Sequence, residues 1–224
     1  METTKIYNLI ILDKSGSMEN IKEQAISGYN ETLGTIRSAQ LRHLDTQEHF
    51  VSLAVFCSCG TQMIYDRTPI KDAENLTSDK YQPCCCTPLF DAIGMSVQNL
   101  RKAIEEDKTA AVLVTIITDG LENSSMEWNR TSVQKLIEEC KGLGWNFAYI
   151  GADHNVEEIA EKLSINNTSI FEKSDRGVKS MWNQQMDAME SYYCMLEEEC
   201  AMPCMSDDAR VSFRQSLSEK YFKK

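Results

Sequence analysis

The sequence predicts an α/β domain with a doubly wound, mainly parallel central sheet, one antiparallel edge strand, and helices on both faces. Three observations carry that prediction. Short apolar, β-rich runs alternate along the chain with segments of helical period, as repeated strand–helix–strand units require. The runs at residues 7–12 and 110–118 are almost continuously apolar, as strands buried on both faces must be. The runs at 49–56 and 61–65 are joined by a link too short for a crossover, so those two pair antiparallel.

Each element follows in order. After the first strand and a polar loop, Ile21, Ala25, Tyr29, Leu33 and Ile36 recur at spacings of four and three and mark one face of a helix. The antiparallel pair comes next, then an irregular stretch over residues 66–86. A second long helix carries Leu89, Ile93, Val97, Leu100 and Ile104, opened by Thr87 as cap and Pro88 in the first turn. The central strand precedes a helix beginning near Ser132, where Thr131 to Gln134 suits a capping box; Gly142 and Gly144 stop it. A strand at 146–150 leads to a second capping box, Asn155 to Glu158, and a short helix with Ile159, Ala160 and Leu163. The last strand covers 168–171. A long helix then runs from about Asp175 towards Glu199, with Val178, Met181, Gln185, Met189, Tyr192 and Leu196 on one face and Pro203 closing it. Met181, Met186, Met189 and Met195 read as core filling. Residues 1–200 therefore form the domain. Residues 201–224 form a C-terminal appendage, a short helix with Phe213, Leu217 and Tyr221 on one side.

Bulk properties narrow the function. A net charge of −11 with no basic stripe speaks against nucleic acid as a partner. No apolar run reaches the ~18 residues of a membrane span. The N-terminal residues lead straight into a strand without the features of a secretory signal, which points to the cytoplasm. Nine cysteines, three of them consecutive at Cys84, Cys85 and Cys86, make a poor disulfide framework and read as reduced.

Ligands of open parallel sheets bind beyond the carboxyl ends of the strands. Asp13, Ser15 and Ser17 follow the first strand, Asp119 follows the central one, and Thr87 precedes the second long helix. All five side chains offer oxygen. Such hard donors select magnesium, calcium or manganese over zinc or copper. Residues 13, 15 and 17 alternate, so an extended loop aims all three one way. Two carboxylates balance a dication, and neutral hydroxyls leave it Lewis-acidic towards one further anionic oxygen.

The Asp-x-Ser-x-Ser of residues 13–17, the Thr-Pro-Leu-Phe-Asp-Ala of residues 87–92 and the Thr-Asp-Gly of residues 118–120 together resemble the von Willebrand factor type A domain over roughly residues 5–199. The resemblance implies that family's von Willebrand factor A / Rossmann-like fold. It also implies a metal-ion-dependent adhesion site in which Ser15, Ser17 and Thr87 are hydroxyl ligands and Asp13 and Asp119 carboxylates, partly through water. Mg2+ or Mn2+ would then coordinate a Glu or Asp of a partner protein, and the chain would be a binding module rather than an enzyme. More narrowly, the chain is similar to stand-alone cytoplasmic bacterial members of stress-response systems of the tellurium-resistance type. It departs from many relatives just before Thr87, where three cysteines replace small or glycine-rich residues.

Simpler readings compete at single positions. Ser15 or Ser17 alone suits a helix cap, and Asp91 suits a carboxylate interacting with its helix dipole. Asp153 and His154 suit a helix start, and His43 and His49 have no matching ligand spacing. A phosphotransferase with an aspartyl nucleophile needs a second acid two residues on, where Ser15 stands. A zinc- or redox-responsive scaffold would use Cys57, Cys59 and the triple cysteine, whose spacing fits none of the usual zinc knuckles.

Overall fold

A computed structural model describes residues 3–152, 156–202 and 205–222, apart from the side chains of Cys200 and Ala201. Six strands form one sheet: β1 (Thr4–Asp13), β2 (Gln47–Cys57), β3 (Gly60–Pro69), β4 (Ala111–Thr118), β5 (Asn146–Gly151) and β6 (Asn167–Ile170). Their order is β3-β2-β1-β4-β5-β6, and only the β2–β3 pair is antiparallel. The helices are α1 (Lys22–Arg42), α2 (Leu89–Ala103), α3 (Arg130–Gly142), α4 (Val156–Lys162), α5 (Asp175–Ala201) and α6 (Asp207–Ser218). This is the predicted doubly wound architecture. Among the described residues, no helix is long and apolar enough to cross a membrane.

Strand alternation sorts the core into two layers. Ile6, Ile10 and Leu12 of β1 face a layer built with α1, α5 and α6, whereas Tyr7, Leu9 and Ile11 face α2, α3 and α4. Asn8 falls on the α5 side at 2% exposure, and its amide is satisfied from both ends. Its Nδ2 donates to the Phe50 carbonyl, and Tyr193 Oη donates to its Oδ1 at 2.7 Å. Gln185, the polar member of the expected α5 stripe, is likewise buried and donates to Thr115 Oγ1 of the central strand at 2.8 Å. Met181 and Met189 are buried, while Met186 and Met195 are half-buried.

Three local expectations need correction. The stretch after residue 65 is not irregular throughout, because β3 continues to Pro69 past register shifts opposite Leu53. The shifts let a twisted edge strand stay paired, and alternation in sequence does not reveal them. α3 starts earlier than Ser132: Asn129 is the cap, and Asn129 and Ser132 exchange the two bonds of a capping box. Thr87 caps nothing, and Pro88 stands at the boundary of α2 rather than inside its first turn. Pro203, Asn155, Asp153 and His154 lie outside the described residues.

α6 packs on the same layer as α5, with Leu217 and Tyr221 buried there. Arg214 is 2% exposed yet fully bonded. It forks onto Glu199 at 2.8 Å through both Nε and Nη2, and Nη2 also reaches the Thr109 carbonyl at 2.8 Å. Its Nη1 donates to the Ala110 carbonyl at 2.5 Å. A bidentate guanidinium–carboxylate pair of this kind tolerates burial because each donor has an acceptor.

Gly28 of α1 sits against the Trp182 ring of α5, where a Cβ would lie 2.1–2.2 Å from three indole atoms. Trp182 is 2% exposed and has no room to turn aside. Gly28→Ala is therefore expected to destabilise the fold by about 1–3 kcal/mol or more through overpacking. Gly34→Ala in the same helix meets nothing within 4 Å, and should instead stabilise by about 0.5–1 kcal/mol through helix propensity. Urea denaturation of both variants checks this, and equal effects would contradict the packing account.

Candidate metal centre

The sheet order reverses direction at the β1–β4 junction, so the loops leaving these two strands turn to opposite faces and open a crevice. Leu12 is level with Ile117 across that junction, which puts Asp13 beside Thr118 and Asp119. The first and third motifs thus meet because the strands carrying them are neighbours in register.

Asp13 is fully buried. Its Oδ1 accepts from the Ser15 backbone N–H at 2.7 Å and its Oδ2 from Thr118 Oγ1 at 2.6 Å. The Ser15 and Ser17 hydroxyls are 3.1 Å apart, and Ser17 Oγ donates to Asp119 Oδ1 at 2.5 Å. Ser17 is exposed, whereas Ser15, Thr87 and Asp119 are buried. Thr87 joins the cluster at Gly120. A Cβ on that glycine would lie 3.1 Å from Thr87 Oγ1, 3.7 Å from Ser17 Oγ and 3.8 Å from Asp13 Oδ2. Three oxygens from two loops, the one leaving β1 and the one before α2, thus surround a space that the missing side chain leaves open. All five predicted residues come together.

The donor set suits a hard divalent cation: two carboxylates, three hydroxyls, and solvent access at Ser17. One cation is already present. Lys173 Nζ, from the loop between β6 and α5, lies 3.1 Å from Asp119 Oδ2 as an ion pair, although that buried oxygen takes no proper hydrogen bond. The lysine side chain is 47% exposed and that of Asp119 is 0% exposed, so the ammonium reaches inward from solvent.

Further residues hold the frame. Tyr81 Oη donates to the Asp13 carbonyl at 2.6 Å from the stretch expected to be irregular. Thr118 accepts from the Gly120 N–H while donating to Asp13. Asn123 Oδ1 accepts the Thr87 N–H, and Asn123 N–H returns a bond to the Thr87 carbonyl. The amides that Thr87 leaves uncapped are taken by the 121–128 loop: Phe90 N–H donates to Glu122 and Asp91 N–H to Ser125 Oγ. Asp91 in return accepts the N–H groups of Met126, Glu127 and Trp128. Its carboxylate is a loop anchor at the start of α2. Thr118 was legible as part of Thr-Asp-Gly. Tyr81, Asn123 and Lys173 carry no local signal, since their partners lie far away in the chain.

The cysteines also gather here. Cys57 Sγ is 3.3 Å from Cys84 Sγ, and Cys59 Sγ is 3.4 Å from Cys85 Sγ. The seven described cysteines are free thiols. His43 Nδ1 pairs with Glu197 at 3.0 Å and His49 Nε2 meets Gln47, and neither histidine joins the cluster.

No family model matches the chain, and no curated protein matches it. Solved structures share its fold. The pilus adhesin SpaC of Lactobacillus rhamnosus GG, in an open conformation, is 14% identical over 86% of this chain and 31% of that one, with a TM-score of 0.60. Proximal thread matrix protein 1 from the mussel byssus is 14% identical over 84% of this chain and 49% of that one, with a TM-score of 0.58. A second structure of that byssus protein, with a zinc-occupied MIDAS motif, gives 15% identity, 84% and 48% coverage and a TM-score of 0.57. The chain spans about half or less of these proteins. The likeness establishes a von Willebrand factor A / Rossmann-like fold.

Burial raises the Asp13 carboxyl from its ordinary 3.8 to about 6, against the opposing hydrogen bonds from Thr118 and Ser15. A carboxyl raised this far lowers folding stability once ionised, by roughly 3 kcal/mol when no cation compensates. The stability it contributes is present at low pH and lost as the pH climbs from about 4 through 6. In chelator at pH 7.5, Asp13→Asn should therefore stabilise the protein by roughly 1–3 kcal/mol. That advantage should vanish as the pH falls towards 4 and the native carboxyl takes up its proton. His49, held near 3 by burial, titrates in the opposite sense, but it is common to both proteins and cancels in the difference. A difference independent of pH would show that Asp13 is not the group responsible.

Proposed function

We propose that the chain is a divalent-metal-dependent protein-binding module in which Asp13, Ser15, Ser17, Thr87 and Asp119 hold Mg2+ or Mn2+, with Ca2+ as the weaker fit. The carrying observation is that Thr87, Ser17 and Asp13 oxygens surround the open space beside Gly120, while hydrogen bonds join Ser15 to Asp13 and Ser17, and Asp119 to Ser17. When bound, the cation supplies Lewis acidity towards one more carboxylate oxygen, that of a Glu or Asp on the partner protein. The shared fold with a byssus protein whose MIDAS motif takes zinc and with a pilus adhesin supports this reading.

Each residue has a distinct part. Asp13, locked by Ser15 N–H and Thr118 Oγ1, is an orienting carboxylate; with both oxygens engaged, it is badly placed as a nucleophile. This favours binding over phosphotransfer. Ser15, Ser17 and Thr87 contribute neutral oxygens that leave charge for the partner to neutralise, and Ser17 borders the solvent-facing side. Asp119 would hold the cation in place of its Ser17 bond and its Lys173 ion pair, and the half-exposed Lys173 ammonium would return to solvent on its flexible stem. At a net charge of −11 the approach of an acidic partner gains nothing from the overall field, which leaves attraction to the local cation. The free thiols suit a reducing cytoplasm. The narrower resemblance to stand-alone bacterial members points to a stress-response setting of the tellurium-resistance type, and nucleic acid and membrane are not partners in this reading.

At about 100 times its dissociation constant, Mn2+ should stabilise the fold by about 2.7 kcal/mol. For a chain of this size that is a rise of roughly 5–10 °C in melting temperature. Asp119→Ala should abolish the rise, whereas Lys173→Met should tighten Mn2+ binding several-fold by removing the internal competitor. Identical melting curves in EDTA and in excess Mn2+ or Mg2+ would end the proposal.

A further inference from the structure

The β2–β3 turn and the segment before Thr87 bring four thiols together, although no single stretch of sequence has the spacing of a zinc knuckle. Cys57 ends β2, Cys59 lies in the two-residue turn, and Cys84 and Cys85 come from the facing loop. Backbone bonds set the two loops against each other: Ser58 N–H donates to the Cys86 carbonyl, and Cys86 N–H donates to Ser58 Oγ. The facing loop is also tied to the loop after β1, through Cys84 N–H to the Lys14 carbonyl and Gly16 N–H to the Cys85 carbonyl.

Two consecutive residues in extended backbone send their side chains to opposite faces. Cys85 escapes that rule. Its φ of 61° is the left-handed region, uncommon outside glycine, and it lets adjacent thiols serve one cluster. Cys84 thus meets Cys57 and Cys85 meets Cys59. Cys57, Cys59 and Cys84 sulfurs lie within 4.8 Å of one another. A tetrahedral ion with metal–sulfur bonds of about 2.3 Å holds its sulfurs about 3.8 Å apart. The Cys57–Cys84 contact of 3.3 Å and the Cys59–Cys85 contact of 3.4 Å lie close to that spacing, and Cys85 joins the three grouped sulfurs through Cys59.

From this geometry we infer a second cation site, chemically opposite to the first: Cys57, Cys59, Cys84 and Cys85 bind one thiophilic d10 dication, Zn2+, as a tetrathiolate. Binding exchanges four S–H protons for four Zn–S bonds, and the protons pass to solvent. No electron moves, so no oxidant is required. The thiol site is poor for magnesium, so a hard cation at the oxygen site does not compete for it. Cys57 is buried, Cys84 half-buried, and Cys59 and Cys85 exposed, so the ion has a path of entry. The bound ion ties the β2–β3 turn to the segment that delivers Thr87. The inference does not depend on the oxygen site being a metal site.

The test uses the full chain, purified with a thiol reductant and no chelator, and Co2+ as the spectroscopic probe. One equivalent of Co2+ should give sulfur-to-metal charge-transfer absorption and tetrahedral d–d bands, both removed by one equivalent of Zn2+. Four thiols should then resist alkylation. Cys59→Ser and Cys85→Ser, at exposed positions that leave folding intact, should each weaken Co2+ binding about tenfold or more. Cys194→Ser and Asp119→Ala should leave the bands unchanged, separating this site from the oxygen site. Reduced protein that gives no charge-transfer band overturns the inference. So does peptide mapping that finds Cys57 joined to Cys84 and Cys59 to Cys85 by disulfides in protein alkylated directly on lysis of a reducing cytoplasm.

Discussion

A carboxylate buried at the fork of the sheet is the constraint on which the rest of this molecule turns. Asp13 ends β1 with no exposure to water, where an unpaired ionised group would be expensive. Its two oxygens take one backbone and one hydroxyl donor, and its carbonyl takes the Tyr81 hydroxyl. Those bonds dictate the path of three separate segments: the turn at Ser15, the end of β4 at Thr118, and the stretch that carries Tyr81. They give each oxygen one donor without cancelling the charge, and its raised pKa is the residue of that imbalance. A fold selected for stability alone would place an uncharged group there. The arrangement makes sense where a cation supplies the missing charge.

The same logic explains why α5 carries polar groups inside. Gln185 and Tyr193 reach polar side chains of the two central strands, Thr115 and Asn8, and Gln47 donates to the Tyr193 carbonyl. A purely apolar face could slide along the sheet at little cost, whereas these directional bonds fix α5 in one register. The loop entering α5 supplies Lys173. Register of the helix and position of the ammonium over Asp119 are therefore connected, which gives α5 a mechanical link to the charge state of the crevice.

The parts legible in the sequence were those with a short-range signal. Strand and helix faces follow from periodicity, and the antiparallel edge from the length of one turn. The five oxygen-bearing side chains could be nominated because strand-end loops are where such folds bind, and the structure brings them together. What could not be read were contacts set by partners remote in sequence. Thr87 has the composition of a cap, but its hydroxyl faces Gly120 while Glu122 and Ser125 serve the amides of α2. Asn129 took the cap expected two residues later, because several polar residues there are chemically equivalent and only the path of the 121–128 loop decides among them. Spacing misled most at the cysteines, where local patterns for zinc assume that each pair of ligands is set by its own turn.

Two donor sets then share one short stretch of chain. Lys14 and Gly16 of the oxygen-bearing loop are bonded through their backbones to Cys84 and Cys85, and Thr87 follows two residues after Cys85. Hydroxyls and carboxylates bind hard cations through charge and tolerate water among their ligands. Thiolates bind soft ones through more covalent bonds and must first lose their protons. Hydrogen bonding to Cys57 and burial hold the Cys84 thiol well above its ordinary range, so that sulfur stays protonated and inert at neutral pH unless a cation draws the proton off. In that inference the segment that positions Thr87 is held by hydrogen bonds alone in one condition and by added metal–sulfur bonds in another. Since a hydroxyl ligand contributes only when it sits within a fraction of an ångström of its ion, stiffening that segment acts on the oxygen cluster without touching it.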